Sequence, residues 1–262
     1  FDLGVYIENR YMNLREKLET YSPDAVVMVQ SILTFITSQD WDGIQVFNLA
    51  REVCPGVVTV LTGNTATNRP AKAVSEDVCD YSLKGEIDFT MGDLLETLNA
   101  GGNVEDVAGI IYKKTNDETH VSERYPEVNM TDLPIPAYHI LDETHRIGYT
   151  KNLERGKIRY PARSNKYRDI MMARGCTLRC SFCSVAHLRG PRQKYRRKPV
   201  EKLIMEVEQA LGQGVEEIHF FEDLFAENER ELLEFAEALT KRNLKFPWLQ
   251  AQGMPLWPVT KD

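Results

Sequence analysis

The chain has 262 residues and a mass of 30.0 kDa, with 42% hydrophobic and 27% charged residues and a formal net charge of −7. That length allows one large domain or two modest ones with a sizeable core, and the composition excludes a fibrous, disordered or disulfide-stapled chain. The longest apolar runs, such as Ala25 to Val29, are strand-sized and far short of the roughly 20 apolar residues of a membrane helix, and the first residues read as no secretory leader, so the cytoplasm is the expected compartment.

Short β-rich runs alternate with amphipathic segments from the start, the signature of α/β units. Leu14 and Leu18 share a helical face. Asp24 to Gln30 reads as a strand, Trp41, Ile44, Phe47 and Ala50 as a helix stripe, and Val57 to Leu61 and Val78 to Leu83 as further strands. Met91, Leu94, Leu95 and Leu98 recur at helical spacing before a last run, Ala108 to Lys113. These strands are expected to be largely buried on both faces of an open parallel sheet spanning residues 1–125, with any ligand at the strands' carboxyl ends.

Residues 126–166 lack clear periodicity, carry prolines at 134, 136 and 161, and read as a linker. A second α/β rhythm fills 167–262. Asp169 to Ala173 is a strand, and Pro199 opens a helix with Leu203, Ile204, Val207, Ala210 and Leu211 inward. Val215 to Phe221 is a strand, Asn228 with Glu231 caps a helix, and Phe246 to Gln250 is a third strand-like run. About 95 residues follow the linker, whereas a complete (β/α)₈ barrel takes about 250. The expected fold class is therefore α/β, a Rossmann-like parallel-sheet domain followed by a partial (β/α) barrel.

Five cysteines are too few for a disulfide framework, and three of them, Cys176, Cys180 and Cys183, fall within eight residues. This C-x₃-C-x₂-C run stands in the loop after a strand. Three thiolates so spaced can hold three corners of a [4Fe–4S] cluster, leaving one iron open for a ligand. His187, four residues beyond Cys183, allows a different reading, a structural Cys₃His zinc site in a binding module with a basic surface. Residues 146–198 hold 16 Lys and Arg against two acids, Glu154 and Asp169. Such a run is ordinarily a solvated face. Arg189, Arg192, Lys194, Arg196, Arg197 and Lys198 could also steer an anionic substrate or offset acidic cofactor groups. A pI of 5.4 and little aromatic interleaving speak against nucleic acid. His139 and His219 read as a packing residue and a satisfied core residue, and Cys54 and Cys79 as buried bystanders.

Arg174-Gly175-Cys176 through Phe182-Cys183 resembles the cluster loop of the radical S-adenosylmethionine superfamily. The resemblance implies that Cys176, Cys180 and Cys183 bind a [4Fe–4S] cluster whose open iron chelates S-adenosylmethionine, and that an electron from the cluster cleaves the C–S bond to give a 5′-deoxyadenosyl radical. It places Phe182 beside that ligand. In the family the second barrel strand ends in a glycine-rich stretch with an acid that meets the methionine amino group. The matching place here is Phe220-Phe221-Glu222-Asp223, without glycines, which makes Glu222 or Asp223 the counterpart.

The first domain resembles the cobalamin-binding domain that precedes the radical domain in one branch of that superfamily. Its S-x-L motif maps onto Ser31-Ile32-Leu33, followed by Thr34, and its glycine loop onto Thr62-Gly63, followed by Asn64. The resemblance implies that Ser31, Leu33, Thr34, Gly63 and Asn64 line the nucleotide tail of cobalamin, where small residues let it approach the backbone. The D-x-H-x-x-G string of domains that ligate cobalt through histidine does not occur. By this likeness Phe1 falls near the second strand, so the first strand and its loop are expected to be either missing from the chain or structurally replaced, and the later barrel strands to be missing.

The resulting expectation is a cytoplasmic, cobalamin-dependent radical S-adenosylmethionine enzyme, a methyltransferase acting on an unactivated carbon of a small-molecule substrate, with an electron donor such as flavodoxin or ferredoxin. Cyclisation or rearrangement within the same branch is the alternative chemistry.

Overall fold

The structure, a computed structural model, describes residues 10–30, 42–75, 77–140, 163–164, 166–178, 180–183, 185, 194–250 and 254. Among these the chain folds into two compact units that part between Val128 and Asn129. No helix among the described residues is long and apolar enough to cross a membrane.

The first unit begins with α1 (Arg10–Tyr21), β1 (Ala25–Gln30), α2 (Asp42–Val53) and β2 (Val58–Gly63). Two short helices, α3 (Asn64–Asn68) and α4 (Lys72–Ser75), lead to β3 (Tyr81–Leu83), α5 (Thr90–Asn99), β4 (Ile110–Lys113) and β5 (Thr119–Val121). The sheet order is β1-β2-β3-β4-β5. β1, β2 and β3 run parallel, but β4 pairs antiparallel with β3, and β5 antiparallel with β4, so the sheet is mixed rather than wholly parallel. An apolar run carries no direction. The direction comes from the close pass of Gly109, at φ +76°, against the end of β3: a Cβ there would lie 2.7 Å from the Lys84 carbonyl oxygen. Lys84 N donates to Gly109 O across 3.0 Å, so β4 starts where β3 stops.

The apolar stripes point inward only at their centres. Val60, Leu83, Leu94, Val107 and Ile110 form the core of the three inner strands and α5, while Leu95, in the same predicted stripe as Leu94, is 38% exposed. On α2, Phe47 and Ala50 are buried and Ile44 is exposed. β1 is also less covered than its apolar sequence predicts. Among the described residues it stands at the sheet edge, where Val27 and Val29 are exposed.

The second unit holds a parallel sheet in the order β10 (Trp248–Gln250), β9 (Glu217–Phe220) and β6 (Tyr167–Ile170). The chain passes through β6 (Tyr167–Ile170), β7 (Ala173–Arg174), β8 (Arg196–Arg197), α6 (Val200–Gly212), β9 (Glu217–Phe220), α7 (Glu229–Lys241) and β10 (Trp248–Gln250). The single strand expected over Asp169 to Ala173 is two strands. β6 ends at Ile170, and β7 leaves the sheet to pair antiparallel with β8. Leu203, Ile204, Val207 and Ala210 of α6 pack on Ile170, Ile218 and Phe220. Phe220 in turn meets Phe235 of α7 edge-on, with ring centroids 5.5 Å apart. Pro199 sits just before α6 as its N-cap, one residue earlier than its sequence position predicts, and the Asn228 side chain caps α7 by accepting from Glu231 N at 3.2 Å.

Candidate functional site: the cysteine loop and its neck

The carboxyl end of β6 opens into the three-cysteine loop. Cys176 is 8% exposed, whereas Cys180 and Cys183 are exposed, and all three are free of disulfides. Cys183 N donates to the Cys180 carbonyl across 3.1 Å, a tight turn that folds the two outer cysteines back on each other. Among the described residues no group of three metal-ligating side chains already converges as a formed metal site. The donor set nevertheless fits an iron–sulfur cluster. Three soft sulfur donors within one short loop are the ligand type that iron–sulfur clusters take. Phe182, between them in sequence, is 91% exposed.

Below the cysteines the loop is drawn into a narrow neck. Ala173 pairs with Arg197 and Arg174 with Arg196. Gly175 has φ +86°, and a Cβ on it would lie 2.0 Å from the Lys194 carbonyl oxygen, so only glycine passes here. Lys198 N donates to Met172 O at 2.8 Å, and the Tyr195 hydroxyl donates to Glu231 Oε2 at 2.9 Å, holding the returning strand. The sequence carries no local signal for Tyr195 in this role, and Gly175 enters there only as part of the cluster-loop resemblance.

Glu222 and Asp223, at the end of β9, both face this neck. Glu222 is 1% exposed; its Oε1 accepts from Met172 N at 2.7 Å and its Oε2 from Gln250 Nε2 at 3.1 Å. Burial pushes its carboxyl up to about 8, against the pull of the Met172 N–H, which favours the charged form. Asp223 Oδ2 accepts from Gly175 N at 3.0 Å. Because the folded state keeps on Glu222 a proton that the unfolded chain releases near 4.5, this group's contribution to stability should decline as pH rises from about 4.5 to about 8 and level off above it. Thermal unfolding across that range should show a smaller decline in Glu222→Gln than in the wild type; equal slopes would remove Glu222 as its source.

The basic run is only partly a surface. Arg197 Nη1 donates to Glu234 at 3.1 Å, and Lys198, 4% exposed, is paired with the buried Glu206, so these two cations are neutralised inside the unit rather than offered to a ligand. Arg189, Arg192 and His187 lie outside the described residues. His219 is the core residue expected, with one ring nitrogen left without a hydrogen bond among the described residues. It is 3% exposed, stacks on Tyr167 at 4.3 Å, and lies 3.6 Å from Asp169 and 3.5 Å from Glu217, yet its Nε2 has no hydrogen-bond partner among the described residues.

In the first unit Gly63 ends β2 at φ +96°, opposite Gln30 of β1, and Asn64 begins α3. Gly85, after β3, also has a positive φ, and its N–H donates to Thr67 Oγ1 at 3.0 Å, while Thr67 donates to Gly63 O at 2.9 Å. The carboxyl ends of β2 and β3 thus present two glycines joined through one threonine, a strand-end edge to which a ligand's backbone-hugging tail could come close. Gly85 and Thr67 were missed in the sequence. Ser31, Leu33 and Thr34 follow Gln30 in the chain and lie outside the described residues.

No protein-family model matches the chain. An uncharacterized methyltransferase of Pyrococcus horikoshii is 25% identical over 247 residues, 94% of this chain and 49% of that protein. The cytidylyl-2-hydroxyethylphosphonate methyltransferase of Streptomyces wedmorensis is 23% identical over 268 residues, 94% of this chain and 48% of its own. The chain spans about half the length of these curated relatives. Among solved structures, the radical S-adenosylmethionine methyltransferase TsrM from Kitasatospora setae, with cobalamin and a [4Fe-4S] cluster bound, superposes with a TM-score of 0.60 at 15% identity, over 90% of this chain and 43% of that one. The cobalamin-dependent S-adenosylmethionine radical enzyme OxsB, with aqua-cobalamin and S-adenosylmethionine bound, gives a TM-score of 0.68 at 18% identity, over 91% of this chain and 31% of that one. With a mixed Rossmann-like sheet followed by a parallel sheet and a three-cysteine loop, the chain has the fold of the matched parts of these two radical S-adenosylmethionine enzymes.

Proposed function

We propose that the chain is the cofactor-binding part of a cobalamin-dependent radical S-adenosylmethionine methyltransferase. The observation that carries this reading is the set of three disulfide-free cysteines within eight residues, held on a loop whose neck is clamped at the carboxyl end of a parallel sheet. Cys176, Cys180 and Cys183 would hold the cluster, and Phe182 would lie against S-adenosylmethionine. Glu222 or Asp223, each of which also takes a neck amide, would meet the amino group of that ligand. Gly63 and Asn64, with Gly85 beside them and Ser31, Leu33 and Thr34 after Gln30, would receive the nucleotide tail of cobalamin. In this reading residues 1–125 carry the corrin, 126–166 connect, and 167–262 begin the barrel.

When bound, the cluster would supply the electron that splits S-adenosylmethionine, and the corrin would carry the methyl group. Methyl transfer, rather than ring formation or rearrangement, is favoured by the two long sequence matches, both to proteins named methyltransferases. The substrate is read as a small molecule of anionic character, and the reductant as a flavodoxin or ferredoxin in the cytoplasm.

The test is anaerobic reconstitution of the full-length protein followed by iron and sulfide analysis, electron paramagnetic resonance, and absorption spectra with added cobalamin. About four irons per chain, a reducible cluster signal and a protein-bound corrin are expected. A zinc-loaded, iron-free protein would sink the reading in favour of a Cys₃His module.

A further inference from the structure

The amides of Met172 and Gly175 lie in buried backbone beyond the end of β6, where the three-stranded sheet no longer supplies acceptors. A buried N–H left unpaired costs about as much as a lost hydrogen bond. Both are met from one place, the carboxyl end of β9: Glu222 takes the amide of Met172 and Asp223 that of Gly175. Glu222 is the deeper of the two and is also bound by Gln250. Asp223 is the one that reaches the residue immediately before Cys176, and Gly175 has no freedom to relocate, being pressed against the Lys194 carbonyl.

We propose that Asp223 is a positioning residue for the cluster site: its carboxylate fixes the backbone that presents Cys176 and sets a negative charge beside the innermost of the three sulfur ligands. The inference rests on the reading that Cys176, Cys180 and Cys183 hold an iron–sulfur cluster. It has two separable consequences. Anchoring decides how well the loop holds iron, as partners outside the ligand set commonly change metal affinity by about 10- to 100-fold. Local charge decides the potential, because added negative charge near a cluster favours its oxidised form. A carboxylate here therefore makes the reduced cluster a stronger electron donor toward a bound substrate.

Two substitutions in the full-length, reconstituted protein separate these effects. In Asp223→Asn the amide oxygen can still accept from Gly175 N, so iron content should stay at the wild-type level while the cluster's reduction midpoint, followed by electron paramagnetic resonance in a redox titration, moves to a more positive value. In Asp223→Ala the anchor is gone, and competition with a chelator should show iron affinity lower by about 10- to 100-fold. Circular dichroism of both variants checks folding, and the Asn variant keeps the test informative if the Ala variant does not fold. Wild-type iron affinity in Asp223→Ala, or a wild-type midpoint in Asp223→Asn, overturns the proposal. Cys176→Ala measured alongside isolates the underlying reading: if that variant keeps its iron, the cluster assignment has failed rather than the role of Asp223.

Discussion

Cys176→Ala is expected to abolish cluster binding and all turnover, whereas Cys54→Ala and Cys79→Ala leave both intact. A three-thiolate site has no redundancy. With one iron already open to a non-protein ligand, removing one of the three protein ligands leaves two cysteines to hold the cluster. Cys176 is the most telling of the three because it is buried at the foot of the loop, next to the neck, while Cys180 and Cys183 stand on the exposed turn. The other two cysteines belong to the first unit and are poor substitutes. Cys79 is 3% exposed and sits in the core of the first unit. Cys54 donates weakly to the Leu18 carbonyl at 3.7 Å. Iron per chain after anaerobic reconstitution should fall from about four to near zero in Cys176→Ala, with 5′-deoxyadenosine formation lost alongside. Undiminished iron in that variant, or lost iron in Cys79→Ala, would contradict the assignment.

The cysteine loop was legible in the sequence because its information is local: three thiols at short spacing carry chemistry wherever the chain goes. The neck beneath it was not, because its parts come from distant places. Asp223 meets Gly175 across 48 residues of sequence, and Tyr195 meets Glu231 across 36. The positive φ of Gly175 is invisible until Lys194 arrives beside it. Periodicity found α5 through Leu94, but it also enrolled Leu95, because a stripe read at helical spacing does not tell which flank the sheet covers. β4 was found as an apolar run and its direction was not, since the antiparallel pairing depends on the pass of Gly109 against Lys84. The hardest case was Lys198. In a run of cations it reads as one more solvated charge, yet it is turned inward.

That inward turn leads to the largest stability effect expected in the second unit. Lys198 and Glu206 form an ion pair with side chains 5% and 1% exposed. Glu206 Oε1 also lies 3.0 Å from the hydroxyl of Tyr138, whose ring is covered by the Arg168 guanidinium at 4.1 Å. Burial, with the Glu206 charge behind it, drives the Tyr138 hydroxyl well above its usual range, so it remains a donor at any pH the protein meets. Taking two charges out of water is costly, and their attraction offsets the cost only while both are present. Glu206→Ala strands the Lys198 ammonium in the interior, and Lys198→Met strands the Glu206 carboxylate; each should cost about 3–5 kcal/mol. Tyr138→Phe removes one hydrogen bond and should cost about 0.5–1.5 kcal/mol. The double variant Lys198→Met/Glu206→Leu replaces the pair with apolar groups of similar size, and should recover most of the loss from either single change. Urea unfolding followed by amide exchange on β6 and β9 reads this unit specifically, which matters because two units need not unfold together. A double variant as unstable as the sum of the singles would mean that the pair's charges are not what the interior penalises, and that the loss is one of packing volume around α6.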